Sequence, residues 1–140
     1  MPIAQMNWGR MRYTLDDPRM AEFARALDKI YAEAEAHDGF LWRIPDADVI
    51  IQLNALGYDD HISATVSVWE TVESLKEYTF KTHHGDFLER TVEWFEKVKG
   101  PQLVIWDVDA DATPSFAEAF VRLAHLKNHG PTEYAYGWKH

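Results

Sequence analysis

The chain contains no cysteine. Disulfides, thiolate nucleophiles, Cys-ligated zinc and iron–sulfur clusters are thereby excluded. Basic residues are scarce as well: 14 Lys and Arg stand against 23 Asp and Glu, for a net charge of −9, which repels phosphate backbones and anionic lipid at long range. Neither nucleic acid nor a membrane is an expected partner, and no apolar run approaches the roughly 20 residues of a membrane span. Walker- and Rossmann-type glycine patterns are missing, as is a nucleophile-elbow serine, so nucleotide and hydrolase chemistry has no residues to rest on. Asp107-Val108-Asp109-Ala110-Asp111 lacks the spacing and the glycine of a calcium loop. His125 and His129 have helical i, i+4 spacing but no neighbouring Glu and no third ligand; they read as a solvated last turn, and no metal site is predicted. At Met1-Pro2-Ile3-Ala4 there is neither a basic run nor an apolar segment behind it, which argues against secretion and for a cytoplasmic protein.

What the chain does have is 140 residues with 46% hydrophobic content, which suits a single domain over 1–140 that buries about two thirds of its unfolded surface. Its most informative stretch is His61 to Glu70. Strict alternation there puts Ile62, Ala64, Val66 and Val68 on one strand face and His61, Ser63, Thr65, Ser67 and Trp69 on the other. Hydroxyls with one indole make poor core, because they offer little apolar area and need hydrogen bonds if buried. Such a face suits a cavity wall or a solvated surface. A first strand, Ile3 to Met11, repeats the pattern with Ala4, Met6 and Trp8 against Ile3, Gln5 and Asn7.

Asp17-Pro18 starts a helix, since the carboxylate accepts from the free amides of the first turn and proline fits its first position. Met20, Phe23, Leu27, Ile30, Tyr31 and Ala34 follow at helical spacing up to Gly39. Phe40 to Ile44 is a second strand, and Val49-Ile50-Ile51, between Pro45 and Asp60, is a hairpin arm or a loop. Thr71 caps a helix through Tyr78; Thr82-His83-His84-Gly85 breaks it, and Phe87, Leu88, Thr91, Phe95 and Val98 resume it as far as Gly100-Pro101. A strand over Gln102 to Val108, a C-terminal helix over 114–129 and an aromatic tail over 132–140 complete the chain. Tyr134, Tyr136 and Trp138 alternate as in a strand, and so aromatic an edge invites aggregation unless it docks on a sheet edge or a partner.

The β-α-β-β-α-β order predicts an α+β, ferredoxin-like antiparallel sheet with helices on one face. Its other face needs cover. Two such sheets, face to face about a two-fold axis, would enclose a cavity as a dimeric α/β barrel, with the polar faces lining it.

Ala4-Gln5 with Asn7, Asp16-Asp17-Pro18-Arg19-Met20, Phe40 with Trp42-Arg43, Ser67-Val68-Trp69-Glu70, His84 with Trp94-Phe95, and Arg122-Leu123 through His129-Gly130-Pro131-Thr132 together resemble a bacterial family of unknown function. That family is assigned to the dimeric α/β-barrel superfamily, beside the antibiotic-biosynthesis and the heme-degrading monooxygenases. The resemblance implies a homodimer and a monooxygenase-type oxidoreductase acting on a small aromatic molecule, either without a cofactor or with heme. The alternative it leaves open is a non-catalytic dimer that binds a small hydrophobic molecule or heme. In the heme-degrading relatives an asparagine on the first strand, a tryptophan on a sheet strand and a helix-borne histidine hold heme, and Asn7, Trp69 and His84 are similar in residue type and element. The chain departs from its family in having His83 beside His84, and Thr65 where an asparagine is usual.

On chemical grounds, a histidine at the break is the side chain best suited to move a proton or ligate iron, and at most one of His83 and His84 can enter the cavity; the resemblance implies His84 as the acid/base or axial ligand. Gln5 and Asn7 carry donors and acceptors that orient a carbonyl or an oxygen species. Trp69 shapes the pocket or stacks on a flat ligand, Arg43 offers a clamp for an acidic group, and Trp42, Thr65 and Ser67 complete the expected binding wall.

Overall fold

The computed structural model describes residues 1–81 and 90–138. Alternation organises its sheet. β1 (Ile3–Met11) is central, antiparallel to β3 (Ile62–Trp69), and β2 (Phe40–Arg43) lies outside β3. Along the other edge of β1 run two strands, the two-residue β4 (Phe95–Glu96) at Arg10 and Met11, and β5 (Leu103–Asp107) over Ile3 to Asn7. The spatial order β2-β3-β1-β5 with antiparallel neighbours is the ferredoxin-like plan expected from the sequence.

Five helices accompany the sheet among the described residues: α1 (Ala21–Ala36), α2 (Asp46–Ala55), α3 (Val72–Lys81), the single turn α4 (Thr91–Trp94) and α5 (Phe116–His129). A 3-10 turn, Pro18–Met20, leads into α1, and Asp17 accepts from the Arg19 amide and guanidinium, which together hold its carboxyl down at about 2. Thr71 and Ser115 cap α3 and α5, each accepting a hydrogen bond from the amide three residues on.

Three expectations are corrected. Residues 46–55 form a helix rather than a hairpin arm: Asp46 and Asp48 occupy its first turn, Leu53 and Val49 turn inward, and Gly57 ends it at φ 87°. Phe95 leaves the helix after Trp94 and pairs with Met11, because its ring packs edge-on against Phe23 while its backbone extends β1. Helices also cover both faces of the sheet. Ala4, Met6, Ala64, Val66, Val68, Val104 and Trp106 pack beneath Leu53 of α2 and Phe116, Ala119 and Leu123 of α5, whereas Ile3, Trp69 and Ile105 pack beneath Ile30 and Ala34 of α1 and Leu75 and Tyr78 of α3. The polar strand face is thus turned toward α1 and α3 of its own chain, and the apolar face is covered within the chain too.

The tail docks on a sheet edge. Tyr136 and Ile105 exchange two backbone hydrogen bonds of 2.7 and 2.9 Å, and the Tyr136 hydroxyl donates to Asp107.

Candidate functional site

The antiparallel register sets the floor of the site. Gln5 lies opposite Ser67, Asn7 opposite Thr65 and Gly9 opposite Ser63, while Arg43 on β2 lies on the far side of Ser67. These side chains are small or polar, so α1 and α3 cannot seat on them as they do on an apolar strand face, and a cavity of about 510 Å³ stays open between sheet and helices. Phe23, Leu27, Tyr31 and Tyr78 form its roof, Trp94 and Phe95 one side, and Trp138 of the tail also reaches the lining. Gly9 lets this wall close in: a Cβ on it would stand 2.7 Å from the Phe95 ring.

A chain of hydrogen bonds runs along the floor. Asn7 Nδ2 donates to Gln5 Oε1 at 3.0 Å, Gln5 Nε2 donates to Ser67 Oγ at 2.7 Å, and the indole N–H of Trp69 donates to the same oxygen at 2.9 Å. In the roof, the Tyr31 hydroxyl lies 3.3 Å from Thr65 Oγ1, and burial holds this phenol above its ordinary range. The Trp69 ring stacks on Tyr78 and meets Phe40 edge to face, which leaves it 1% exposed.

Arg43 borders the cavity with its charge already matched. Its guanidinium stacks over Tyr31, donates to Asp46 at 2.7 Å and lies 3.6 Å from Glu35. Burial disfavours the charge, but the bond to Asp46 together with the charge of Asp46 and Glu35 and the nearby Tyr31 outweighs it, and the pKa is raised. An anionic ligand would have to compete with two carboxylates for it.

Of the residues expected from sequence, the structure brings Asn7, Gln5, Arg43, Thr65, Ser67 and Trp69 to one cavity. Trp42 is not among them. It pairs with Val68, whose side chain faces α2 and α5, and a bulge between Phe40 and Trp42 sends the indole to that apolar layer. His83 and His84 lie outside the described residues. His125 and His129 sit ring to ring at 4.5 Å on α5, with His125 against Tyr134, and among the described residues no three metal-ligating side chains cluster.

Sequence reasoning missed Tyr31, Phe23, Trp94 and Trp138 as parts of the wall. A signal existed for one of them, since Tyr31 places a phenol on the apolar stripe of α1 beside Ile30 and Ala34. The others carry none, because an aromatic in a packed interface and one in a cavity wall look alike in a sequence.

Comparison with solved structures gives the same fold at low identity. SnoaB, a cofactor-independent oxygenase from Streptomyces nogalater, is 10% identical with a TM-score of 0.50, over 77% of this chain and 93% of that one. Rv0793 from Mycobacterium tuberculosis is 14% identical with a TM-score of 0.55, over 81% of this chain and all of that one. A structural-genomics protein, YJCS, is 16% identical with a TM-score of 0.50, over 78% of this chain and all of its own. No curated protein matches in sequence. A family model for a domain of unknown function, DUF3291, matches residues 2–140, so this ferredoxin-like chain belongs to the DUF3291 family.

Proposed function

We propose that the protein is a monooxygenase-type oxidoreductase that holds a small, flat aromatic molecule between the polar strand face and helices α1 and α3. The observation that carries this reading is the cavity itself: about 510 Å³, roofed by aromatic rings and floored by a hydrogen-bonded row of Asn7, Gln5, Ser67 and Trp69. An apolar body with a few fixed polar groups matches that division. The likeness in fold to SnoaB, itself an oxygenase, favours oxygen chemistry over mere storage. In this reading Asn7 and Gln5 orient the substrate, Trp69 and Tyr78 shape the pocket, and proton transfer falls to His84.

Heme is a poorer fit to the described lining. No imidazole is part of it, and Arg43, which could meet a propionate, is held by Asp46 and Glu35. If the substrate activates oxygen itself, it supplies all four electrons: two as one oxygen atom is inserted and two that, with two protons, carry the other oxygen to water.

The homodimer and the cytoplasmic location expected from sequence belong to the same proposal; among the described residues no helix is long and apolar enough to cross a membrane. Because both sheet faces are covered within the chain, a dimer would use an outer surface. Ile50, Ile51 and Leu56 at α2 and Val121 on α5 leave apolar area exposed there.

Native mass spectrometry and an absorption spectrum of protein purified without added ligand test this directly. A retained mass with an aromatic chromophore, and oxygen uptake when that molecule is supplied in excess, are the expected results. Binding without oxygen uptake would move the protein to the non-catalytic class, and a Soret band would restore heme.

A further inference from the structure

We propose that Ser67 is the group that reads an oxygen atom on the cavity's occupant, and that Gln5 and Trp69 are positioning residues that turn its proton into the cavity. The inference rests on the reading of the cavity as an aromatic-ligand site and adds the polar chemistry that site selects.

A hydroxyl has two acceptor lone pairs and one proton. Both lone pairs of Ser67 Oγ are engaged, one by Gln5 Nε2 at 2.7 Å and one by Trp69 Nε1 at 2.9 Å. The indole N–H only donates, so that bond has one sense. The sense of the Gln5 bond is fixed by its surroundings. Its Nε2 lies 3.5 Å from the backbone carbonyl of Thr65, which only accepts, and its Oε1 receives the Asn7 amide at 3.0 Å. Turning the amide over would set oxygen against the Thr65 carbonyl. Ser67 therefore cannot give its proton to Gln5, and among the described residues no other acceptor is hydrogen-bonded to it.

Gln5, Ser67 and Trp69 are 2%, 5% and 1% exposed, and Ser67 borders the cavity. The cavity is the direction left to its proton. A buried donor without an acceptor is unfavourable, and two N–H groups on the oxygen polarise the O–H bond and strengthen it as a donor. The site thus favours a ligand that presents a lone pair, a carbonyl or phenolate oxygen on a flat aromatic body. A hydrocarbon of the same shape leaves the donor unmet. With Arg43 already paired to Asp46 and Glu35, this selection works through a neutral hydrogen bond rather than through charge.

Two probes of nearly equal shape test it: 2-acetylnaphthalene, which accepts through its ketone, and 2-ethylnaphthalene, which does not. Calorimetric titration of the full chain should show the ketone binding more tightly by roughly three- to tenfold, the net worth of one neutral hydrogen bond. Infrared difference spectra of the bound ketone should show its carbonyl stretch at lower frequency than in hydrocarbon solvent. Ser67→Ala should abolish both the preference and the shift, and Ser67→Thr should restore both. Because Ser67→Ala leaves two N–H groups without an acceptor and could unfold, Trp69→Phe serves as a second variant. It keeps the hydroxyl but removes one polarising donor, so the carbonyl shift should shrink without vanishing. An unshifted carbonyl in the wild type, with both probes bound, overturns the role of Ser67 and leaves the cavity reading standing. Failure of both probes to bind overturns the cavity reading and this inference with it.

Discussion

The two faces of one sheet have been built differently by alternate residues of the same strands. On the face toward α2 and α5, Met6, Val66, Val68, Val104 and Trp106 are fully buried and the layer is filled. On the face toward α1 and α3, Gln5, Asn7, Ser63, Thr65 and Ser67 stand where aliphatic residues would be expected, and a ligand-sized cavity remains. The first face supplies stability, since its central apolar side chains are fully removed from water. The second gives up packing for a fixed set of donors and acceptors, a division of labour that keeps a binding site on rigid strands rather than on loops.

The sharpest way to break the comparison is to truncate a large side chain on the filled face. Trp106→Ala should cost about 3–5 kcal/mol, whereas Thr65→Ala on the cavity face should cost under about 1 kcal/mol, because its neighbours already border open space. Urea denaturation of the two variants, with unchanged m-values, checks the asymmetry. Equal losses would mean that both faces carry the fold alike.

The tail links the two faces and should rank next. Deleting residues 132–140 removes the buried Ala135 and Tyr136, the two backbone bonds to Ile105 and the packing of Trp138 on Phe80. With one to two aromatics losing burial, the expected cost is about 2–4 kcal/mol, read as a fall of several degrees in melting temperature. A truncated chain that melts at the parent temperature would show that the dock contributes nothing.

A smaller effect is expected at the cavity's side wall. In Gly9→Ala the new methyl meets the Phe95 ring at 2.7 Å, so the ring must yield and the cost should be about 1–2 kcal/mol. Pairing it with Phe95→Leu should recover part of the loss, and a double-mutant cycle measures how much.

The smallest effect is one of pH, and it sharpens the contrast because the buried phenols lie on the cavity side and at the tail dock. Burial raises the pKa of Tyr31 and Tyr78, and burial with the hydrogen bond to Asp107 raises that of Tyr136. In the unfolded chain these phenols ionise near 10 while the folded ones stay protonated. Their contribution is therefore complete below about pH 10 and is lost as pH rises through the higher folded values. Melting temperature should decline above about pH 10, with Tyr136→Phe declining less steeply than the parent.

Much of the fold was legible because strand periodicity and helix caps are local. Ile3 to Met11 alternates over its whole length, Asp17-Pro18 begins a helix, and Thr71 caps another, all as read. Residues 46–55 were not legible in this way, since Val49-Ile50-Ile51 carries strand-like side chains and the helix depends on α5 to cover Leu53 and Val49. Phe95 continues a helical spacing in sequence, yet becomes strand because Phe23 and the open edge of β1 are waiting for it. Within the site, Gln5, Asn7, Thr65 and Ser67 showed themselves as polar residues at core positions. Trp42 misled, because a bulge one residue before it inverts the face that plain alternation from Phe40 would assign.

The sequence by itself determined which residues share a strand face, where the helices on either side of the sheet begin, and that one face of the central strands is too polar to be ordinary core; these follow from the two-residue pleat, from caps and from hydration. Only the tertiary structure decided what meets that face. Whether α1 and α3, solvent or a second sheet lies over Gln5 and Ser67 depends on contacts between separate segments, such as Tyr31 of α1 with Thr65 of β3, and no local pattern encodes them. The same holds for the hydroxyl of Ser67. Its identity is written in the chain, but the direction of its proton is set by two N–H donors that only the folded register brings to its oxygen.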